Sequence, residues 1–369
     1  MNPTEYVRST LTEFVRIPST PDEDMSAILG AAVAAIEDLG LRPEVHGDVK
    51  AVLASSGRGG VLFNGHLDTV PLASGWTKDP GAWDGDWLYG RGTADMKAGC
   101  VAGLAAARAL LDRGIPVSLL LTTDEETTMR GAVKLASAPV VREAAAVLVC
   151  EPTGLKVVAR EKGVLWYRAR TRGRGAHGSM PHLGDNAIHR MSRVLRELEG
   201  LGRPRDLHGE ITVNVGAIRG GTKPNLVADA CEVDLDCRNP AGTTKAEVEA
   251  LLRKAFRAAR EDVDIELFHE VPAAGVPEDA DHIRLLRDLA GTEVVAVTYG
   301  TEMAYYAAHN GRCAVFGPGE AERIHVPDER VSLRETVRAA EILATFAERL
   351  ARPDRTRRPA RAPHKDAKL

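Results

Sequence analysis

His66 and Asp68 stand two residues apart in VLFNGHLDTVP, the stretch from Val61 to Pro71. In extended chain such residues point to the same side, so an imidazole and a carboxylate share one place. Val61, Leu62 and Phe63 read as the end of a buried strand, and Asn64-Gly65 breaks it. A histidine at a strand end beside a carboxylate suits a metal ligand whose second ring nitrogen is held by an outer acid. Taken alone, the pair could equally be a buried hydrogen bond with no chemistry.

The rest of the chain returns similar groups to similar positions. Asp95 lies in GRGTADMKAG, Glu126 in TTDEE, Glu151 in CEPT and His325 in IHVPDE. Each follows a strand or opens a helix, next to Gly or Pro. Crowded carboxylates repel one another, so their grouping needs a cation. Two histidines and three carboxylates suit Zn²⁺, with Co²⁺ or Mn²⁺ as alternatives. One carboxylate can bridge two ions roughly 3.5–4 Å apart, each completed by a His and a further carboxylate, with a shared water made more acidic. Singly, each residue has a plainer reading: Asp95 an N-cap, Asp124-Glu125-Glu126 a solvated loop, His325 a surface residue. Together, at consecutive strand ends, they point to one site.

The elements that must place them alternate. Helical spacing runs from Pro3 to Arg16, a second helix opens after Thr20-Pro21 and runs to Leu39, and Arg42 to Ala54 reads as strand, turn, strand. Trp76 to Tyr89 reads as a loop. Asp95 sits where that loop becomes an Ala-rich helix to Leu111. Val117 to Leu121 and Ala145 to Val149 are apolar strands ending in the acidic triplet and in Glu151, with Gly131 to Ala136 helical between them. This alternation argues for an α/β sheet with functional groups at strand ends. From Val164 the order changes to strand, helix, strand, strand, helix, strand up to Phe268, an α+β sandwich. From Asp281 the first pattern resumes, with a helix from Glu302 to His309 and a last helix from Leu333 to Leu350. The divisions are 1–159 (catalytic, first part), 160–275 (an inserted domain), 276–351 (catalytic, second part) and 352–369, a Pro- and Arg-rich tail expected to be disordered.

At 369 residues, with 44% hydrophobic and 27% charged residues, this is the composition of an ordinary soluble protein. A net charge of −4 gives no reason to expect nucleic acid. The five cysteines are scattered and none forms a CxxC pair, as expected of a reduced cytoplasmic chain. The N-terminus lacks the pattern of a signal peptide, and the longest apolar stretch, Ala27 to Ile36, is too short to span a membrane.

The segments GHLDTVP, GRGTADMKAG, TTDEE, CEPT, AHGSMPHLGDNAI, GGTKPNLVADACEVDLDCR and GPGEAERIHVPDE, in this order, resemble the zinc-dependent family of aminoacylase, acetylornithine deacetylase, succinyl-diaminopimelate desuccinylase and carboxypeptidase G. The resemblance implies a three-layer α/β/α catalytic domain of co-catalytic zinc exopeptidase architecture, with a ferredoxin-like inserted domain serving as lid and dimer interface. It implies Asp95 as the bridging carboxylate, His66 and Glu151 on one ion, Glu126 and His325 on the other, Asp68 as the acid that orients His66, and Glu125 as general base. A carboxylate in that role needs a pKa raised toward neutrality. Adjacent Glu125 and Glu126, on extended chain, would point opposite ways, one to substrate and one to metal. His177 resembles the lid histidine that reaches the partner subunit's site, and Asn225 and Arg238 the residues that hold the substrate carboxylate. Where many carboxypeptidase-like members carry Asp-Ala-Arg after Gly-Thr, this chain has Gly300-Thr301-Glu302-Met303-Ala304, nearer to the acetylornithine deacetylase-like branch; Glu302 there could meet a substrate amine. The implied enzyme is a homodimeric, dinuclear amidohydrolase acting on an N-acyl amino acid, with acetylornithine deacetylase-like activity the leading expectation. The alternatives are a desuccinylase, a dipeptidase or carboxypeptidase, a hydrolase whose basic tail (Arg355, Arg357, Arg358, Arg361) docks an acidic carrier protein, and a non-catalytic binding protein.

Overall fold

The computed structural model describes residues 2–202 and 205–351. The tail, and with it any docking by its arginines, lies outside the described residues. The first helix, Pro3–Arg16, begins where the Asn2 side chain accepts from Thr4 N at 3.0 Å, and it buries Tyr6, Val7, Leu11, Phe14 and Val15 along one stripe.

A nine-stranded mixed sheet carries the fold. Val61–His66 runs parallel to Val117–Thr122 on one side and to Val147–Val149 on the other, and Val147–Val149 in turn pairs parallel with Cys313–Val315. Every residue of Val117–Thr122 is buried, as parallel strands covered on both faces must be. Alternate residues feed opposite cores. Phe63, Leu119 and Leu121 pack with the helices Ala98–Leu111 and Leu333–Ala351. Leu62 and Leu120 pack on the other side with Ala132, Met303 and Tyr306. The result is the expected α/β/α layering. Because the three neighbouring strands share a direction, their C-terminal ends open at one edge, where open α/β sheets bind ligands.

A second sheet is antiparallel, in the order Thr212–Gly220, Ala230–Asn239, Gly163–Arg172, Asp264–Val271. Helices Ala187–Glu199 and Lys245–Ala258 cover one face over a separate core that includes Cys231, Val233, Leu235 and Cys237. This is the ferredoxin-like strand order. The opposite face carries cross-strand pairs such as Arg168–Asp234 and Arg170–Glu232. All five cysteines are buried and free. Among the described residues no helix is long and apolar enough to cross a membrane.

Several local expectations are corrected. The second helix begins at Ser26, whose amide is taken by Asp24 at 3.0 Å, rather than at Pro21. Within the expected loop Trp76 to Tyr89 lie two short strands, Ala82–Asp84 and Trp87–Tyr89, completed by Arg330–Ser332. Val157–Glu161 is a strand of the large sheet where none was expected. The helix expected over 302–309 shrinks to Met303–Tyr306.

Val157–Glu161 is also where the chain leaves the large sheet; it enters the small one at Gly163 and returns at Ala274–Gly275. Glu161 is buried there. One carboxylate oxygen accepts from Thr301 Oγ1 at 2.7 Å, and the other has no partner among the described residues. Burial pushes this carboxyl up to about 8, and the Thr301 hydroxyl only partly offsets it. Between the ordinary carboxylate value and about 8 the folded chain therefore holds a proton that the unfolded chain has lost. Stability through this group must fall as pH rises across that window, by up to about 1.4 kcal/mol per pH unit. Glu161→Gln should remove this group's share of the slope. Urea midpoints at pH 5 and pH 8 should drop less in the variant than in the native chain; parallel pH dependences would contradict a protonated Glu161.

Candidate functional site

His66 ends its strand and is 1% exposed. Its Nδ1 lies 3.0 Å from the Asp68 main-chain carbonyl oxygen and 3.4 Å from Asp68 Oδ1. A ring nitrogen facing a carbonyl carries the proton, which leaves Nε2 as a lone pair in the neutral ring. That Nε2 faces Asp95 Oδ1 at 3.1 Å and Glu151 Oε1 at 3.6 Å. His325 Nε2 lies 3.1 Å from Asp95 Oδ2 and 3.1 Å from Glu126 Oε1. The two oxygens of Asp95 thus address two different histidines. Ligand-type atoms of His66, Asp95 and Glu151 converge within 4.8 Å of one another, as do those of Asp95, Glu126 and His325.

Lone pairs facing lone pairs need positive charge between them. The proton affinities of the groups express this need. Burial alone would lower His66, but Glu151, Asp68 and Asp95 outweigh it and hold the ring well above its ordinary value. Hydrogen bonds to Asp95 and Glu126 raise His325 to about 10. Burial raises Asp95, yet His325 and His66 draw it down below the usual carboxylate range. Glu125 and Glu151 are held well above that range, first by burial and then by neighbouring carboxylates, with His66 opposing. Two imidazoles and three carboxylates with facing acceptor atoms form a donor set that fits two divalent cations.

Asp95 is not an N-cap. The helix proper starts at Ala98, and Asp95 (φ −115°, ψ 97°) and Met96 lie in a tight non-helical turn before it. Nor is the acidic triplet extended. After Val117–Thr122 the chain turns, and Asp124 accepts from Arg130 N at 2.8 Å and Gly131 N at 3.1 Å, fixing the next helix start. Asp68 then takes the amides of Glu125 and Glu126 at 3.2 and 3.1 Å on its two oxygens. Its carboxylate therefore holds the 125–126 turn more closely than it holds the His66 ring. Glu125 Oε2 comes to 3.9 Å from His66 Nε2, so both glutamates reach the group from a turn.

Glycine makes the close approach at Glu151. A Cβ on Gly99 would lie 1.8 Å from the Cys150 carbonyl oxygen, and one on Gly317 would lie 2.6 Å from that of Glu151. The peptide bearing Glu151 is therefore gripped between two backbones. His325 is the solvent-facing member of the group, its side chain 45% exposed.

The remaining expected residues lie elsewhere. His177 is exposed, with Nδ1 2.8 Å from Ser179 Oγ, and Asn225 is exposed beside it, its carbonyl accepting from Gly178 N at 2.8 Å. Arg238 lies on the polar face of the small sheet in a two-pronged pair with Asp236, at 2.8 and 3.0 Å. Glu302 is 1% exposed, because the turn that carries it drives Met303, Ala304 and Tyr306 into the core. Its Oε2 accepts from Asn64 Nδ2 at 2.7 Å, and its buried Oε1 has no partner among the described residues. Burial raises it to about 7. Glu302 thus braces the strand two residues before His66. Sequence reading missed Asn64 in this role, though its place on the same strand face as His66 was a usable signal.

Residues 62–349 match Peptidase family M20/M25/M40. An acetylornithine deacetylase of Aliivibrio fischeri (strain MJ11) is 32% identical over 334 residues, covering 84% of this chain and 88% of that protein. The crystal structure of aminopeptidase PepT from Bacillus cereus superposes with a TM-score of 0.79 at 21% identity, covering 95% of this chain and 99% of that one. That of YXEP from Bacillus subtilis, described as a dinuclear metal-binding peptidase from the M20 family, does so with a TM-score of 0.71 at 15% identity, covering 94% and 97%. The two structures share the fold of this chain.

The grip on Glu151 has a measurable consequence. Gly99→Ala should lower stability by roughly 1–3 kcal/mol, because backbone must move to admit the methyl group. Gly30→Ala, on a helix with nothing within 4 Å, should instead be neutral or stabilising by about 0.4–1 kcal/mol. Urea unfolding of the two variants checks the contrast.

Proposed function

We propose that this chain, a metal-dependent hydrolase belonging to peptidase family M20/M25/M40, cleaves the amide bond of an N-acyl amino acid with two divalent ions bound across Asp95. The observation that carries the reading is the division of Asp95, one oxygen 3.1 Å from each of two histidine nitrogens. His66 and Glu151 would hold one ion, and Glu126 and His325 the other. Zn²⁺ suits the nitrogen and carboxylate donors, with Co²⁺ or Mn²⁺ as substitutes. A bound pair supplies positive charge that polarises the amide carbonyl and acidifies water.

The chain's own residues do the rest. Glu125 takes a proton from the attacking water and returns it to the departing nitrogen. Burial among carboxylates raises its hold on that proton, as a base that must later return it requires. Asp68, bonded to the amides of residues 125 and 126, keeps the base and its metal-binding neighbour in register. Asn225 and Arg238 would receive the substrate carboxylate; for Arg238 this means exchanging Asp236 for the substrate, one two-pronged contact for another. We place His177 at the partner subunit's site in a homodimer formed through the segment 160–275, where its Nε2 would donate to the developing oxyanion. Its exposure in the single chain agrees with such a role. The acyl group and side chain follow the curated relatives named acetylornithine deacetylase, which makes an N-acetylated basic amino acid the first substrate to test.

Protein reconstituted with Zn²⁺ or Co²⁺ should release acetate from N-acetylornithine faster than it cleaves N-succinyl-diaminopimelate or dipeptides; preference for a dipeptide would overturn the substrate assignment. Glu125→Gln should lower kcat by about 10²–10⁴-fold while metal content, read by elemental analysis, stays at the native level. Near-native kcat would remove Glu125 from its role.

A further inference from the structure

Glu329 has no part in the reaction as described, yet it is wholly buried beside it (0% exposed). Its Oε1 accepts from Ala94 N at 3.0 Å and Asp95 N at 3.2 Å. Its Oε2 accepts from Arg91 Nη1 at 2.6 Å. Its main-chain carbonyl accepts from Gly90 N at 3.0 Å. One residue therefore ties down both ends of the 90–95 turn that presents Asp95. Arg91 is buried too. Its Nε and Nη2 have no hydrogen-bond partner among the described residues, and its guanidinium lies 5.3 Å from the Trp76 ring centre. The one side-chain ion pair of that guanidinium among the described residues is with Glu329.

The chain on either side of Glu329 makes the contact more than a local brace. Asp328 accepts from Thr77 N at 2.8 Å, Thr77 Oγ1 at 2.7 Å and Lys78 N at 3.1 Å. Arg330–Ser332 pairs antiparallel with Trp87–Tyr89, just before the Asp95 turn. Three residues N-terminal to Asp328 stands His325, with φ +61°. The segment bearing one histidine is thus fastened directly to the backbone bearing the shared carboxylate. Asp68 does the same at the other turn, one carboxylate on the consecutive amides of residues 125 and 126.

We propose that Glu329, paired with Arg91, is a positioning residue that sets the Asp95 carboxylate and couples it to His325, so that both ion positions depend on it. The inference rests on the dinuclear reading above. A bridging group must place two oxygens at once, and a site loosened by more than about 0.5 Å no longer does so. Two amide bonds to one carboxylate fix the peptide plane from which the Asp95 side chain springs. A Gln at this position can still accept from the amides, but its NH₂ group then faces the guanidinium. An Asp keeps the charge but is one carbon too short to span Arg91 and both amides.

The test is Co²⁺ titration of metal-free full-length protein, native and Glu329→Gln, followed by visible absorption and competition with a chelator, with kcat and KM measured on the same samples. The control is Asp86→Asn. Asp86 accepts from Ser332 Oγ at 2.5 Å and Arg334 N at 3.2 Å, so its loss loosens the far end of the same strand. Native protein should bind two ions. Glu329→Gln should bind both about 10–100-fold more weakly, with an altered Co²⁺ spectrum and a lowered kcat at a KM within about twofold of native. Asp86→Asn should lose thermal stability but weaken binding of both ions less than Glu329→Gln does; equal weakening in the two variants would overturn the specific role of Glu329. Native affinities and spectrum in Glu329→Gln would overturn the positioning role alone. Fewer than two ions in the native protein would overturn the dinuclear reading and this inference with it. If Glu329→Gln does not fold, Glu329→Asp is judged by the same affinities and spectrum.

Discussion

Everything in this molecule answers to one electrostatic constraint: Asp95 stands between two histidine nitrogens, with three glutamates crowded around them. Such a group is unfavourable without positive charge, since the buried carboxylates repel one another and desolvation opposes their ionisation. The fold tolerates the crowding because every acid is held from behind. Asp95 hangs from amides bonded to Glu329, Glu125 and Glu126 from amides bonded to Asp68, and Glu151 from a peptide pressed between Gly99 and Gly317. These contacts are made by the main chain, so the carboxylates themselves stay free to face His66 and His325.

The sheet makes the convergence cheap. Val117–Thr122, Val61–His66 and Val147–Val149 lie side by side and parallel, so the residues that follow each of them leave at the same edge. Asp95 and His325 come from outside these strands. They are brought in by the small sheet of Ala82–Asp84, Trp87–Tyr89 and Arg330–Ser332, which joins two segments far apart in the chain. The site therefore has two supports: parallel strands for His66, Glu126 and Glu151, and this three-stranded clasp for Asp95 and His325. Both meet at Asp95.

What could be read from the sequence follows this division. His66 closes an apolar strand, Glu126 and Glu151 follow two others, and local patterning is enough to find them. The antiparallel segment was legible for the same reason: alternation in Ala230–Asn239 marks its inner face. The clasp was not, because strands of three residues carry too little pattern and find their partner only through long-range pairing. Asp95 before an Ala-rich run looks like a cap, and only the tertiary bonds at its amide show why the helix waits until Ala98. Glu302 looks like an exposed helix-start acid. Its burial depends on how Met303 and Tyr306 pack, which spacing alone does not reveal. The acidic triplet reads as extended chain, whereas capping by Asp124 turns it.

A dinuclear centre here requires that Asp95 be shared between two ions. The direct measurement is anomalous diffraction at the zinc absorption edge from crystals of the zinc-reconstituted protein. It should show two peaks flanking the Asp95 carboxylate, one among His66 and Glu151 and the other among Glu126 and His325. A single peak, or two peaks of which only one touches Asp95, would contradict it.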